Sequence, residues 1–249
     1  MRELQDYETY DLTVCEELKC AGVTLLLSAV AAWLLYKHPA GLILGFVIYP
    51  VYRRNYVGTK IEVRKRELLT QFKDAIQSIS IALLSGFSIE NAWSEAEKEL
   101  SDLYGSDAYM PAELRYMNSG IRTNQPVEEL LYGFALRSHC EDIAGFAEIF
   151  RFAKRSGGNF GKIIQNTVQR IVEKQEVERE IATVLSGKKM EQKIMNTVPA
   201  GLLAYLNLTS EEFLAPLYGN FFGASVMTVA FAAYMVAFLM ARKIVEIEI

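Results

Sequence analysis

The sequence predicts an all-α membrane protein with about four transmembrane helices and a cytoplasmic antiparallel six-helix bundle. Uncharged apolar segments lie near both ends of the 249-residue chain, and helix-period apolar patterning fills its middle. The overall composition, 51% hydrophobic and 22% charged, hides this division. We expect an acidic cytoplasmic segment at residues 1–20, followed by a transmembrane hairpin at 21–52 and a cytoplasmic domain at 53–193. A second transmembrane hairpin at 194–241 and a cytoplasmic tail at 242–249 complete the chain.

The apolar segments define the predicted spans. Residues 21–36 and 40–52 are separated by a Lys-His-Pro turn at 37–39. Because proline disfavours helix at the residue before it, two short spans fit better than one long helix. Residues 194–208 and 221–241 form the second pair. A signal peptide is the alternative for the first apolar segment, but the preceding stretch is acidic where a signal peptide is basic.

Loop charge predicts the orientation. Lysines and arginines lie after the first hairpin, before the third span and after the fourth, at Arg53, Arg54, Lys60, Arg64, Lys65, Arg66, Lys188, Lys189, Lys193, Arg242 and Lys243. The loop between the third and fourth spans has none. Because positive loops stay in the cytoplasm, we expect a multi-pass protein with both termini and the central domain cytoplasmic.

Helical spacing of apolar residues predicts the bundle. Three segments show it: Leu69, Phe72, Ile76, Ile79 and Leu83; Ile143, Phe146, Phe150 and Ala153; and Ile164, Val168, Ile171, Ile181, Val184 and Leu185. Gly86 is expected at the end of the first helix, and Ser88 at the N-cap of the next. Pro111 and Pro126 suit first helical turns, with Glu113 near the positive end of its helix.

The segment SGGNFGK, residues 156–162, raises the question of a phosphate-binding loop. That loop needs G-x-x-x-x-G-K-[ST], and here a serine replaces the first glycine and an isoleucine the final hydroxyl residue. The segment also follows a predicted helix, whereas the phosphate loop follows a strand. We interpret it as a helix–helix corner, in which Gly157 or Gly158 closes one helix and Asn159 caps the next.

The sequence gives little indication of a metal site, of reactive cysteines or of nucleic-acid binding. His139, Cys140, Glu141 and Asp142 are adjacent, but neighbouring helical residues point about 100° apart and no second cluster completes a metal site. We interpret them as a helix boundary with two first-turn acids. The three cysteines are expected to be reduced thiols, and the net charge of −4 argues against nucleic-acid binding. We expect no catalytic residue, cofactor or metal.

Two motifs carry a family likeness. Residues 68–96 contain a helix end followed by a helix start in the pattern aGxSlxxA, and residues 152–171 contain a glycine corner followed by a long helix. The corner residues are Gly86, Ser88, Ala92, Gly157, Gly158 and Asn159. In this order the motifs resemble the type II secretion system F-domain family of GspF/TadB-like inner-membrane platform proteins, closest to the TadB branch of Tad/Flp pilus systems. The glutamate usual before the second corner in GspF-type members is absent.

The resemblance implies a non-enzymatic platform protein of a type IV filament machine in the cell inner membrane. Such a protein couples a cytoplasmic hexameric secretion ATPase to the extraction and assembly of pilin or pseudopilin. The implied partners are that ATPase, the pilin or pseudopilin, a paralogous platform subunit or a second copy, and the lipid bilayer.

The polar stretch EKQEVERE, residues 173–180, suggests where a partner binds. We hypothesise that the long helix acts as a lever for the ATPase, with candidate contacts at Glu173, Glu176, Arg179 and Glu180. A plain solvated face is the alternative for this stretch. For the whole protein, the alternative is a four-span membrane adaptor or small transporter unrelated to pili, although no ionisable residue lies within the predicted spans.

Overall fold

The computed structural model describes residues 6–35, 44–156, 160–209 and 220–245. These residues form eight helices: α1 (Val14–Leu35), α2 (Leu44–Leu84), α3 (Ile89–Tyr104), α4 (Tyr109–Arg122), α5 (Val127–Ser138), α6 (Glu141–Ser156), α7 (Phe160–Thr209) and α8 (Phe221–Val245). The all-α prediction is confirmed.

The chain divides into two compact units. The first combines Met1–Asp11 with Val57–Glu176, and the second combines Leu12–Tyr56 with Val177–Ile249. The first unit therefore contains α3 to α6 together with parts of α2 and α7. Within it, consecutive helices from α3 to α6 pack on one another.

The first unit is built around an apolar core. Phe72, Phe146 and Phe150 are each at most 1% exposed, and their rings meet at centroid distances of 5.5 Å (Phe72–Phe146) and 6.1 Å (Phe146–Phe150). Burying one such side chain stabilises the fold by about 1.5–3 kcal/mol. Ile143 and Ala153 are also fully buried. The predicted apolar stripe of α6 is confirmed.

The second unit buries small and polar side chains. Thr24 and Ser28 on α1 are at most 3% exposed, and their hydroxyls donate to carbonyls of the same helix. A Cβ on Gly45 would lie 3.2 Å from Ser28 Oγ, so glycine lets the start of α2 approach α1 closely. Tyr234 of α8 donates to the Asn196 carbonyl of α7 at 2.7 Å.

The structure contradicts the predicted membrane spans. Among the described residues, no helix has both the length and the apolar character needed to cross a membrane. The prediction of four transmembrane helices is therefore wrong. A span takes about 20 apolar residues, whereas α1 opens with Glu16, Glu17 and Lys19 and the apolar parts of α2 and α7 continue into charged segments of the same helix.

Two predicted spans are parts of longer helices. Residues 44–52 begin the 41-residue α2, which continues through Pro50, and residues 194–208 end the 50-residue α7, which continues through Pro199. Residues 37–39, the predicted turn, lie outside the described residues. The predicted stripe on α7 holds as far as Ile171, but Val184 is 75% exposed.

Candidate partner-binding surface

The first motif forms a helix end at Gly86. α2 ends at Leu84, and Gly86 has a φ of 88°, in the left-handed region that favours glycine. The Gly86 amide donates to the Leu83 carbonyl at 3.1 Å. The Phe87 amide donates to the Ala82 carbonyl at 3.1 Å. These bonds form the Schellman arrangement that closes helices, so the predicted helix end is confirmed.

Ser88 and Ala92 begin the next helix. Ser88 Oγ accepts a hydrogen bond from the Asn91 amide at 3.3 Å, which confirms the predicted N-cap. Ala92 has no exposed surface, and the adjacent Trp93 is 1% exposed. The Trp93 ring meets Phe150 edge-on at a centroid distance of 5.1 Å. The motif therefore starts α3 and anchors it in the core.

The second motif lies between α6 and α7. Its corner residues Gly157, Gly158 and Asn159 lie outside the described residues, so their predicted capping roles stay predictions. Beyond them, the Phe160 ring on α7 packs at a centroid distance of 5.2 Å from Phe150 on α6. Helices flank the segment on both sides, whereas a phosphate loop follows a strand. The flanking helices agree with the interpretation as a helix–helix corner, and the corner itself stays a prediction.

An ion pair joins this corner to α5. Lys154 Nζ in the last turn of α6 lies 2.6 Å from Glu128 Oε2 in the first turn of α5. Burial acts to raise the pKa of Glu128, but the hydrogen bond from Lys154 and the nearby positive charges outweigh it and lower the pKa. Because both side chains are partly exposed, the pair contributes at most about 1 kcal/mol.

The two motifs adjoin at one end of the first unit, which we call the corner end. A Cβ on Gly161, in the first turn of α7, would lie 3.5 Å from the Leu84 side chain at the end of α2. Large apolar side chains are exposed in these helix ends: Leu84 is 50%, Phe87 49% and Phe152 69% exposed. Leu84 and Phe87, three residues apart at the end of α2, are exposed apolar side chains of the kind found at protein-binding surfaces.

The polar stretch 173–180 lies on α7. Its candidate contact residues Glu173, Glu176, Arg179 and Glu180 are all exposed. Glu173 accepts a hydrogen bond from Gln169 at 2.9 Å. Glu173, Glu176 and Glu180 are three and four residues apart, so they share one face of the helix. This exposure fits both a partner surface and a solvated face.

A buried polar cluster was missed by the sequence reasoning. Glu113 on α4 is 5% exposed, and its Oε2 lies 2.6 Å from the Arg137 guanidinium on α5. The Tyr7 hydroxyl donates to Glu113 Oε1 at 3.2 Å. Burial raises the pKa of Glu113 although Arg137 and Tyr7 act to lower it. Burial and the Glu113 charge raise the pKa of Tyr7. Spacing gives no signal for a contact between residues so far apart.

The described residues offer little for metal or cofactor chemistry. They contain no group of three or more His, Cys, Asp or Glu side chains able to hold a metal ion. His139 takes a left-handed conformation with φ of 50° between α5 and α6, and Glu141 and Asp142 lie in the first turn of α6. The predicted helix boundary is confirmed. Burial raises the pKa of the Cys140 thiol, which makes it a poor nucleophile.

One cavity lies within the second unit, between α1 and the start of α2. Its volume is about 340 Å³, and its lining includes Ala21, Leu25, Phe46 and Tyr49. Among the described residues the lining is mostly apolar, and its polar members are Thr24, Ser28 and Tyr49.

No family model, no curated protein and no solved structure matches this chain. The likeness to the F-domain family therefore depends on the sequence alone.

Proposed function

We propose that this chain is a non-enzymatic platform protein of a type IV filament machine, whose first unit docks a hexameric secretion ATPase. The observation that carries the proposal is the corner end. Both family-like motifs meet there, and the helix ends expose Leu84, Phe87 and Phe152. A structural motif needs buried contacts only, whereas exposed aromatic side chains beside it favour a binding role.

The charge of the corner end indicates the chemistry of the partner surface. Arg151 and Arg155 on α6 and Lys162 on α7 are exposed, and Glu90 at the start of α3 is the exposed acidic residue beside Phe87. A complementary surface on the ATPase would be apolar at its centre and acidic at its rim. Such complementarity contributes to specificity and to the association rate more than to affinity.

The polar stretch 173–180 is proposed as a second contact with the same ATPase. Glu173, Glu176 and Glu180 form an exposed acidic face on α7, with Arg179 beside it. Exposed charges of this kind attract a basic partner surface over about 8–10 Å at physiological salt. Reversing the charge at Glu176 should slow ATPase binding and reversing the charge at Arg179 should speed it, in both cases more at low salt than at high salt.

The second unit is proposed to bind the pilin or pseudopilin, a second platform subunit and the surface of the inner membrane, with the first unit facing the cytoplasm. Its support is apolar exposure: Leu18 is 74%, Leu26 62%, Phe222 81% and Val229 69% exposed. Such surface needs an apolar cover. The four-span adaptor or transporter depends on spans that the structure contradicts, and we do not propose it.

Photo-crosslinking in native membranes tests the proposal. A photoreactive residue at Phe152 should crosslink to the secretion ATPase. The matched control is the same probe at Leu103, which is 65% exposed and lies at the other end of the 16-residue α3 from the Gly86 corner, about 20 Å away.

A pair of substitutions supports the crosslinking. Phe87→Glu with Phe152→Glu should reduce co-purification of the ATPase at least about tenfold, because aromatic anchors dominate binding energy. Leu103→Glu should leave co-purification unchanged. Equal crosslinking from Phe152 and Leu103, or unchanged co-purification of the double variant, would refute docking at the corner end.

A further inference from the structure

A non-helical segment, residues 6–10, lies against the helices of the first unit, and we call it the tyrosine segment. It belongs to no helix. Tyr7 is 2% exposed, whereas Asp6, Glu8 and Thr9 are exposed. One aromatic side chain therefore inserts while its neighbours stay at the surface. A short peptide anchored in a protein pocket has this arrangement.

The pocket holds the tyrosine by both ends of the residue. The Tyr7 amide donates to the Arg137 carbonyl at 3.1 Å, and its hydroxyl donates to Glu113 at 3.2 Å. The ring meets Tyr109 and Phe134 edge-on, at centroid distances of 5.9 Å and 6.4 Å. These contacts select a tyrosine, because phenylalanine would leave the Glu113 oxygen without that donor.

Arg64 and His139 lie at the rim of the pocket, in contact with the acidic tyrosine segment. Glu8 lies 3.1 Å and Asp6 lies 3.6 Å from the His139 ring. Arg64 donates to the Thr9 carbonyl at 3.0 Å. The Arg64 guanidinium also lies 4.7 Å from the centre of the Tyr10 ring, a cation–π distance.

The floor of the pocket has contacts that do not involve the segment. Arg137 pairs with Glu113 at 2.6 Å and donates to the Gly133 carbonyl at 3.0 Å. Within the described residues, Arg137 Nε is buried and has no hydrogen-bond acceptor. The tyrosine segment thus leaves one donor of the floor unused.

We propose that the pocket is a docking site for a short acidic peptide with a central tyrosine, and that residues 6–10 are its releasable internal occupant. The positive charge of Arg64 beside the acidic segment, and the contacts of Asp6 and Glu8 with the His139 ring, identify the chemistry of the external ligand, a partner's Asp/Glu-Tyr-Glu segment. Release opens the site, and rebinding closes it. These residues are distinct from those of the corner end, so the proposal does not depend on ATPase docking.

The test uses the full chain with a protease site inserted between Leu12 and Thr13, before α1 begins. The probe is a fluorescent peptide of residues 3–12. In the intact chain the tether gives an effective concentration of the order of millimolar, so micromolar probe should bind very weakly. After cleavage and dilution, probe binding should strengthen at least about tenfold, and unlabelled peptide should displace it.

Two peptide variants test recognition. A Tyr7→Ala peptide should lose binding, and a Tyr7→Phe peptide should bind at least about fivefold more weakly, because the Glu113 hydrogen bond is absent. Equal binding of all three peptides would overturn the assigned chemistry.

Two further outcomes would show that residues 6–10 are permanent core. In the first outcome, circular dichroism shows that the cleaved chain unfolds when the segment leaves. The other is a folded, cleaved chain that does not exchange its segment for probe within hours. The full chain with Tyr7→Ala gives a second measurement, since it should remain folded and bind the probe without cleavage.

Discussion

The two units bury different kinds of side chain. The first contains a continuous cluster with Trp93, Phe72, Phe134, Phe146 and Phe150 almost completely buried. In the second, the described buried residues are small or polar, such as Cys20, Ala32, Thr24, Ser28 and Asn207, with Met227 the large apolar exception. Its large apolar side chains lie mainly at the surface.

Because of this difference, the two units are stabilised in different ways. Burial of large apolar side chains is the main driving force of folding, and the first unit obtains it from its own residues. The second unit leaves much of its apolar area for something outside the chain to cover. The first unit is therefore expected to be stable by itself, and the second to gain stability when its surface is covered.

The largest expected effect compares two phenylalanines. Phe150→Ala should lower the free energy of unfolding of the first unit by about 3–5 kcal/mol, because it removes a fully buried ring and leaves a cavity. Phe222→Ala, at an 81% exposed position, should change stability by less than about 0.5 kcal/mol. Urea unfolding followed by Trp93 fluorescence in a Trp33→Phe background measures the first unit, and Trp33 fluorescence in a Trp93→Phe background measures the second. Equal losses would remove the distinction between the units.

The next effect compares two ion pairs. Glu113→Ala should cost about 3 kcal/mol, because it leaves the Arg137 charge poorly paired in a mostly buried site. Its counterpart in the second unit is the ion pair of Glu17 with Arg53, in which Arg53 Nη2 lies 3.3 Å from Glu17 Oε1 and both side chains are 48% exposed. Glu17→Ala should therefore lower the free energy of unfolding by less than about 1 kcal/mol.

The pH dependence sharpens this comparison. Because burial raises the pKa of Glu113, the protonated form favours the folded state. Its contribution is fully present below the unfolded-state pKa of about 4.3 and is lost as pH rises through the folded-state pKa. The stability of wild type relative to Glu113→Gln should therefore fall with rising pH. The opposite slope would mean that the Arg137 charge outweighs burial.

The smallest effect concerns backbone conformation within the first unit. Gly86→Ala should destabilise it by about 1 kcal/mol, because φ is 88°. Gly58, inside α2, has no atom within 4 Å of an added Cβ and no left-handed backbone, so Gly58→Ala should stabilise by about 0.5–1 kcal/mol. The same fluorescence measurement compares them. A loss at Gly58 as large as that at Gly86 would contradict the conformational explanation.

Local features of the sequence predicted much of the first unit. The apolar spacing of Ile143, Phe146 and Phe150 fixes which face of α6 is buried, and the Gly86 and Ser88 signals mark a helix end and start that the structure confirms. Each depends on residues within a few positions of one another. Periodicity and capping report such short-range preferences directly.

Contacts between residues distant in sequence, and the continuity of the long helices, could not be predicted from local periodicity and capping signals. The Tyr7–Glu113 contact joins residues 106 positions apart, and nothing in the local pattern pairs them. The continuity of α2 through Pro50 and of α7 through Gly187 was also missed. Proline and glycine lower helix propensity, yet both helices continue through these positions.

The distance in sequence between Tyr7 and its pocket also determines the order in which they are synthesised. The helices from α3 to α6 contact their sequence neighbours, and local contacts of this kind form fast. Tyr7 leaves the ribosome 106 residues before Glu113, which at about 5–20 residues per second is roughly 5 to 20 s. During that interval the tyrosine segment is a free acidic peptide on the nascent chain, and the pocket that will receive it has not yet been synthesised.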